Sequence, residues 1–93
     1  MRLYQLPAPV SVAAGAEQDV STLLNVAIQF GGTWVGSYQL QGSIDGSNWV
    51  SEGSAITSNG VTKTTTNYVF LRLNCTAYTS GTPACWLHGN EER

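Results

Sequence analysis

A chain of 93 residues is long enough for one domain with a thin core, because a domain of this size buries only about 60–65% of the surface that its unfolded chain exposes. Charged residues make up 11% of the chain and the net charge is −2, with no cluster of cations, so nucleic-acid binding is not expected. The apolar runs are too short to span a membrane, and the first residues lack the apolar segment of a signal peptide, which indicates synthesis in the cytoplasm.

The N-terminal residues 1–16 are predicted to form an extended arm. Proline has no backbone N–H to donate to a sheet, so the two prolines of this segment restrict it to an edge strand or a tail. An apolar end of this kind packs either on its own domain or on a neighbouring subunit. The residues that we expect to make these contacts are Leu3, Tyr4, Leu6, Pro7 and Pro9.

Alternating apolar and polar residues predict short β-strands along the rest of the chain, and no window shows the period of a helix. The predicted strands are 19–30, 37–43, 48–52, 67–77 and 84–89. The segments 31–33 and 78–83 are rich in turn-forming residues and are predicted to be turns, and 53–66 is predicted to be a long loop with room for short strands.

Short strands separated by turns are typical of an all-β fold, and we predict a single antiparallel β-sandwich. The sandwich domain is expected to span residues 17–89. It follows the arm and precedes a charged tail at residues 90–93.

The segment Gly42–Trp49 (GSIDGSNW) predicts a hairpin. Asp45 and Gly46 tolerate positive φ, which a tight turn between two strands requires. Trp49 begins the returning strand, and we expect it to fill the space between the two sheets, because a side chain of this size dominates a thin core.

No arrangement of residues predicts catalysis, a metal or a cofactor. Asp45 precedes a glycine and is interpreted as a turn former. Glu17 and Asp19 lie together before a strand, but two carboxylates without further oxygen ligands make a poor calcium site. His88 is the single histidine, and nothing in the sequence supplies it with a positioned nucleophile and an orienting acid. We therefore expect that the protein is not an enzyme.

Cys75 and Cys85 flank the predicted turn at 78–83. If the flanking strands pair about Ser80, the two cysteines lie opposite each other and a disulfide is geometrically feasible. The alternative is a pair of buried thiols that act as small apolar side chains, which cytoplasmic synthesis favours. Two cysteines and one histidine are too few for an ordinary zinc site.

Aromatic residues are the strongest candidates for a contact surface. Trp34 lies beside a glycine turn at a strand end, where exposure is common. Tyr68, Phe70 and Trp86 have the parity opposite to the predicted core face of their strands. They form an exposed apolar patch unless the arm or the long loop covers them, and both alternatives stay open.

Residues Gly42–Trp49 resemble the G-S-x-D-G-x-x-W hairpin of discoidin-like sugar- and lipid-binding modules and of many small β-sandwich proteins in the virions of tailed bacteriophages. The order of segments fits the phage group better, because a stretch like Val26–Gln41 precedes the hairpin and stretches like Tyr68–Leu73 and Tyr78–Thr82 follow it. The resemblance covers roughly residues 20–88. It favours a jelly-roll-like sandwich over an immunoglobulin-like one.

The resemblance implies a non-enzymatic virion protein, and a capsid decoration (cement) protein is the favoured form. Such a protein binds the major capsid protein on the outside of the assembled head, as a dimer or trimer, and the arm, Trp34 and Trp86 are the expected contact residues. A tail or head-fibre module that binds a host receptor or glycan, chiefly through Trp34, is the alternative. A free carbohydrate-binding module is a third interpretation, disfavoured by the Met1 start and the missing signal peptide and linker.

Overall fold

Every regular element that the structure describes is a β-strand, which confirms the all-β prediction. The structure is a computed structural model that describes residues 2–64 and 66–90. Its strands are β1 (Arg2–Gln5), β2 (Gln18–Asp19), β3 (Leu24–Ser43), β4 (Val50–Ser51), β5 (Gly60–Lys63) and β6 (Phe70–Asn90). They form one antiparallel six-stranded sheet in the order β1-β6-β3-β4, with β2 also on β6 and β5 also on β3, and the sheet does not close.

The two long strands, β3 and β6, pair along almost their whole length and form a two-stranded ribbon. The short strands lie along its two outer edges, with β1 and β2 on β6 and β4 and β5 on β3. Each end of the ribbon is therefore four strands wide. The order is β1-β6-β3-β5 at one end and β2-β6-β3-β4 at the other.

The ribbon bends sharply near its middle. The ring centroids of Phe30 and Tyr38 are 5.4 Å apart, although eight residues of straight strand would separate them by about 26 Å. The pairing register shifts between Val35 and Gly36 and again between Ser37 and Tyr38. Extra residues of this kind bend a strand and increase its twist, so these bulges bring the two ends of the ribbon over each other.

The hydrophobic core lies on the concave side of the bent ribbon. Alternate residues of β3 and β6 supply most of it, because successive side chains of a strand face opposite sides of a sheet. Burial of each large apolar side chain contributes about 1.5–3 kcal/mol relative to exposure. The buried apolar residues are Leu6, Val20, Leu23, Val26, Ile28, Phe30, Tyr38, Leu40, Tyr68, Leu71, Leu73, Cys75, Cys85 and Leu87.

The predicted turns at 31–33 and 78–83 are wrong. Both segments continue their strands and pair with each other, with Gly32 opposite Pro83 and Val35 opposite Ser80. Gly32 has a φ of 86° and Gly81 a φ of 93°, so both adopt the left-handed conformation that the residue type suggested. The two glycines therefore lie where the paired ribbon bends and not where the chain reverses. The backbone of 31–33 pairs with that of 82–84, so neither segment folds back on itself.

The strand boundaries also differ from the prediction. The predicted strand 19–30 begins only at Leu24, because Ser21 N–H donates to the Asp19 carboxylate at 2.8 Å and holds the preceding residues in a turn. The returning strand 48–52 shortens to β4, and the loop 53–66 contains β5. The predicted strands 67–77 and 84–89 are parts of β6.

The arm packs on its own domain, along the outer edge of β6. Leu6 N–H donates to the Cys85 carbonyl at 2.9 Å, and farther along Gly15 N–H donates to the Leu73 carbonyl at 2.7 Å. The Tyr38 hydroxyl donates to the Pro9 carbonyl at 2.5 Å, which ties the arm to the core. Asn90 ends β6, and the remaining residues of the predicted charged tail lie outside the described residues.

Candidate functional site

The hairpin loop after β3 is held by the side chains of its own residues. The Asp45 carboxylate accepts the backbone N–H groups of Ser47 and Asn48 at 2.9 and 2.8 Å and the Asn48 side-chain amide at 2.7 Å. The Ser43 hydroxyl donates to Asp45 and accepts the Gly46 N–H at 2.8 Å. Asp45 is thus a turn former, as predicted, and its hydrogen bonds hold the pKa of its carboxyl well below the usual range.

Trp49 does not occupy the core, contrary to the prediction. It is half-buried, and the Arg72 guanidinium lies 4.2 Å from its ring centroid. Arg72 belongs to the convex face of the ribbon, where its Nε–H donates to the Gln41 side chain at 2.8 Å. The short loop returns the chain to this face, so Trp49 stacks with a cation while Tyr38 and its aromatic neighbours fill the concave side.

Replacing Asp45 with asparagine is expected to destabilise the protein at pH 7, by an amount that shrinks progressively as the pH falls below 3.8. A carboxyl whose folded pKa is depressed adds stability above its unfolded pKa, near 3.8, and that stability is lost as the pH falls toward the folded value. Urea midpoints of both proteins at pH 7 and at low pH measure the effect. Glu17→Gln, at an exposed position, is the control, and an equal loss in both variants would contradict the role of the Asp45 hydrogen bonds.

Trp34 is a packed residue instead of an exposed platform. It is half-buried, and its ring centroid lies 5.3 Å from those of both Phe30 and Tyr38. Its Nε1–H donates to the Asn59 side chain at 2.7 Å, and Asn59 in turn donates to the Gly32 carbonyl at 3.0 Å. The loop before β5 therefore covers this end of the indole and fixes its orientation.

Trp86 is the exposed tryptophan, with 44% of its surface accessible. The three residues of the predicted aromatic patch do not share one surface. Tyr68 is buried, and a Cβ at Gly42 would lie only 2.4 Å from its ring. Phe70 is half-buried at the opposite end of β6 from Trp86.

Burial and the neighbouring Glu52 carboxyl raise the pKa of the Tyr68 hydroxyl.

The sequence predicted Trp86 as a contact residue but not the cleft that lies beside it. Gln29 on β3 lies opposite Trp86 in the ladder, and Val61 on β5 lies opposite Gln29 on the other side. A shallow cleft of about 240 Å³ opens here, and His88 also lines it. Predicting this cleft required the knowledge that β5 lies in the long loop and pairs with β3, which no local pattern provides.

The arm residues that were expected to contact a neighbour differ in burial. Leu6 is buried in its own core at 1% exposure, whereas Tyr4 and Pro9 are half-buried and Pro7 is exposed. Leu3 pairs with His88 as part of β1. A contact with another subunit would therefore use the outer edge of β1 and the prolines, since Leu6 is already engaged.

Cys75 and Cys85 are free, buried thiols, and the pairing that a disulfide needed is absent. Cys75 lies opposite Tyr38 and Cys85 opposite Phe30, because the chain does not reverse between the two cysteines. Burial raises the pKa of Cys85 to about 12. The thiol therefore stays protonated at neutral pH, and the reactive thiolate form is scarce.

We expect both thiols to be unreactive toward DTNB in the native protein at pH 8 and to react within seconds to minutes in denaturant. Intact mass under non-reducing conditions, after alkylation of the unfolded chain, is expected to show two modified cysteines. Prompt labelling of the native protein would contradict the burial, and an unalkylated mass would indicate a disulfide.

The two carboxylates considered for a calcium site, Glu17 and Asp19, form no metal-binding cluster with other described residues. Glu17 and Asp19 are both exposed, and hydrogen bonds from Ser21 lower the pKa of Asp19. Across residues 2–64 and 66–90, no three His, Cys, Asp or Glu side chains lie close enough together to hold a metal ion. The same part of the chain contains no helix with the length and hydrophobicity needed to cross a membrane.

Comparisons with protein-family models, with curated proteins and with solved structures find no match for this chain. The resemblance of the hairpin to phage virion proteins therefore stays a prediction from the sequence. What the site offers chemically is a cleft without carboxylate, lysine or arginine side chains and with an exposed indole, together with outer strand edges that pair with no other named strand, at β1, β2, β4 and β5 within the described residues.

Proposed function

We propose that this protein is a non-enzymatic structural protein of a tailed-bacteriophage virion, a decoration protein that binds the outside of the assembled head. It is made in the host cytoplasm and joins the head as a dimer or trimer at junctions between major capsid subunits. The observation that carries the proposal is the G-S-x-D-G-x-x-W hairpin of Gly42–Trp49, with the order of the segments around it.

The proposed mechanism is stabilisation by linkage. A protein that binds the assembled lattice but not the dissociated subunits shifts the equilibrium toward the lattice. Many copies that bridge neighbouring subunits add avidity. The low charge content and the exposed apolar side chains support this use, because they suit repeated contacts with an uncharged surface. Among the described side chains, the large apolar ones that are exposed are Val10, Val12, Val35, Ile44, Val50, Val61 and Trp86.

We also propose that the two four-stranded ends of the bent sheet serve as the layers of a jelly-roll-like β-sandwich. The close approach of the Phe30 and Tyr38 rings supports a two-layer description. An immunoglobulin-like sandwich is the alternative. The strand connections in an experimental structure would decide between the jelly-roll-like and the immunoglobulin-like sandwich. A straight ribbon, whose two ends do not pack on each other, would contradict both sandwiches.

The copy number of the chain in purified virions tests the proposed function. Quantitative mass spectrometry against the major capsid protein is expected to give hundreds of copies per particle, near a simple ratio to the capsid subunit. Purified protein added to heads that lack it should then raise the temperature at which the heads dissociate. Absence from the virion, or binding without any change in head stability, would contradict the decoration role.

A tail or head-fibre module that binds a host receptor or glycan is the second candidate. The exposed indole of Trp86 beside uncharged polar side chains favours it, although Trp34 was the expected platform. A count of a few to a few dozen copies per virion would support this candidate over the decoration role.

A further inference from the structure

The outer side of the β1-β6-β3-β5 end carries a row of four residues that face the same way. Gln5, Trp86, Gln29 and Val61 are ladder partners in successive strands, and partners across a ladder share a face. We call this surface, together with His88, the Trp86 face. His88 lies two residues beyond Trp86 on β6, and therefore about 7 Å farther along the same side.

The Trp86 face combines one apolar platform with several uncharged polar groups. The indole is 44% exposed, and its ladder partners on both sides are glutamines, each with amide donors and an acceptor. Among the residues that line the cleft there is no carboxylate, lysine or arginine. An apolar face next to convergent hydrogen-bonding groups, without charge, is complementary to a neutral ligand that has one C–H face and a rim of hydroxyls.

We propose that the Trp86 face binds a neutral sugar ring of a glycan. The C–H face of the pyranose stacks on the Trp86 indole, and the Gln29 amide and the His88 imidazole bond to its hydroxyls. The cleft of about 240 Å³ lies just below the range of about 300–1,000 Å³ that holds drug-sized ligands, so it accommodates one ring with the rest of the glycan outside.

A protein partner fits this face less well. The core of a protein contact gathers large apolar residues, whereas Trp86 stands between two glutamines. Among the side chains that the structure describes on this face, Val61 is the one other large apolar side chain that is exposed. The lining of the cleft itself, which holds no charged carboxylate, lysine or arginine side chain, is what favours a neutral sugar. Lys63 lies on the same side of the sheet, opposite Ala27 in the row of His88, and does not line the cleft, so a preference for anionic sugars would show that this cation takes part.

Titration of the full chain with methyl glycosides of neutral hexoses, followed by glycan-array binding, tests the proposal. In two-dimensional NMR, the indole N–H signal of Trp86 should shift saturably with a Kd of about 1 mM or below for the preferred sugar. Trp86→Ala is expected to weaken binding about tenfold or more, and Gln29→Ala about fivefold, the effect of one lost hydrogen bond. Val35→Ala, at an exposed apolar position on the bend, is the control and should bind normally.

Several outcomes would overturn the proposal. They are the absence of saturation with every neutral sugar, unchanged binding by Trp86→Ala, and binding restricted to sugars that bear a carboxylate. Concentration-dependent self-association that Trp86→Ala abolishes would instead assign the face to a second copy of the chain. If Trp86→Ala does not fold, the wild-type indole shift and Gln29→Ala still decide the question. The assay needs no virion, so its result is independent of the decoration role.

Discussion

Replacing Tyr38 with alanine is expected to lower the free energy of unfolding by about 3–5 kcal/mol, the usual cost of removing a large aromatic side chain from a core. Tyr38 is fully buried, and its ring contacts those of Phe30 and Trp34 where the ribbon folds over itself. A protein of this size has a total stability of about 5–15 kcal/mol, so the variant should be close to unfolding at 37 °C. Urea denaturation followed by circular dichroism measures the loss.

Tyr38→Phe is the matched control, because it keeps the ring and removes the hydroxyl that donates to Pro9. It is expected to cost about 1 kcal/mol at pH 7. Burial, with the Cys75 thiol nearby, raises the pKa of Tyr38 from 10.0 to about 12. The folded state therefore favours the neutral phenol, and wild-type stability is lost as the pH rises from about 10 through 12. The phenylalanine variant lacks this ionisation, so its disadvantage should shrink or reverse across that window.

A loss of less than about 1 kcal/mol in Tyr38→Ala would contradict the bend of the ribbon. In a straight ribbon, Tyr38 would be far from Phe30, and its removal would leave no cavity between the two ends. The same alkaline loss in the wild type and in Tyr38→Phe would show that another buried group controls stability at high pH. Cys85 is the candidate, because burial raises its pKa to about 12 as well.

Gly81→Ala is expected to destabilise the protein by about 2–5 kcal/mol, through left-handed backbone strain and overpacking together. Gly81 has a φ of 93°, and a Cβ there would lie 2.2 Å from the Thr33 carbonyl oxygen and 2.5 Å from the Trp34 Cα. These are backbone atoms of the paired strand, so relief would require separating β3 from β6 at the bend. Thermal unfolding followed by circular dichroism is the direct measurement.

Two other glycines separate the causes of this effect. Gly53 has a φ of 74° with no atom within 4 Å of an added Cβ, so Gly53→Ala should cost only the backbone strain of about 1–2 kcal/mol. Gly60 has neither a positive φ nor a close neighbour, and Gly60→Ala should be nearly neutral. If Gly81→Ala costs no more than Gly53→Ala, the close approach of the two strands at the bend is wrong.

Sequence patterns predicted the structure correctly where it depends on interactions between residues that are close together in the chain. The period-2 alternation of Leu71, Leu73 and Cys75 identified the buried face of β6, because strand geometry alone puts alternate side chains on one side. The turn at Asp45 was predictable for the same reason, since its carboxylate bonds to backbone groups two and three residues later.

The bend was not predictable, because the residues that form it carry an ambiguous local signal. Gly32 and Gly81 both need a positive φ, and a hairpin turn accepts that conformation as readily as the bent but continuously paired strands in which these glycines lie. The choice depends on whether the chain pairs with itself just after the glycine or with a segment about 50 residues away. Only the pairing of β3 with β6 satisfies both segments at once.

The sequence by itself determined the all-β class, the core face of β6 and the Asp45 turn, which depend on interactions that act over two or three residues. The tertiary structure decided the surroundings of the tryptophans: Trp49, predicted for the core, stacks with Arg72 outside it, and Trp34, predicted at an exposed strand end, is half-buried. Trp34 is partly covered because Asn59 reaches it from a distant loop, whereas Trp86, between Gln5 and Gln29 in the ladder, is left 44% exposed. The accessibility of a side chain depends on which distant segment lies over it, and that is a property of the folded chain.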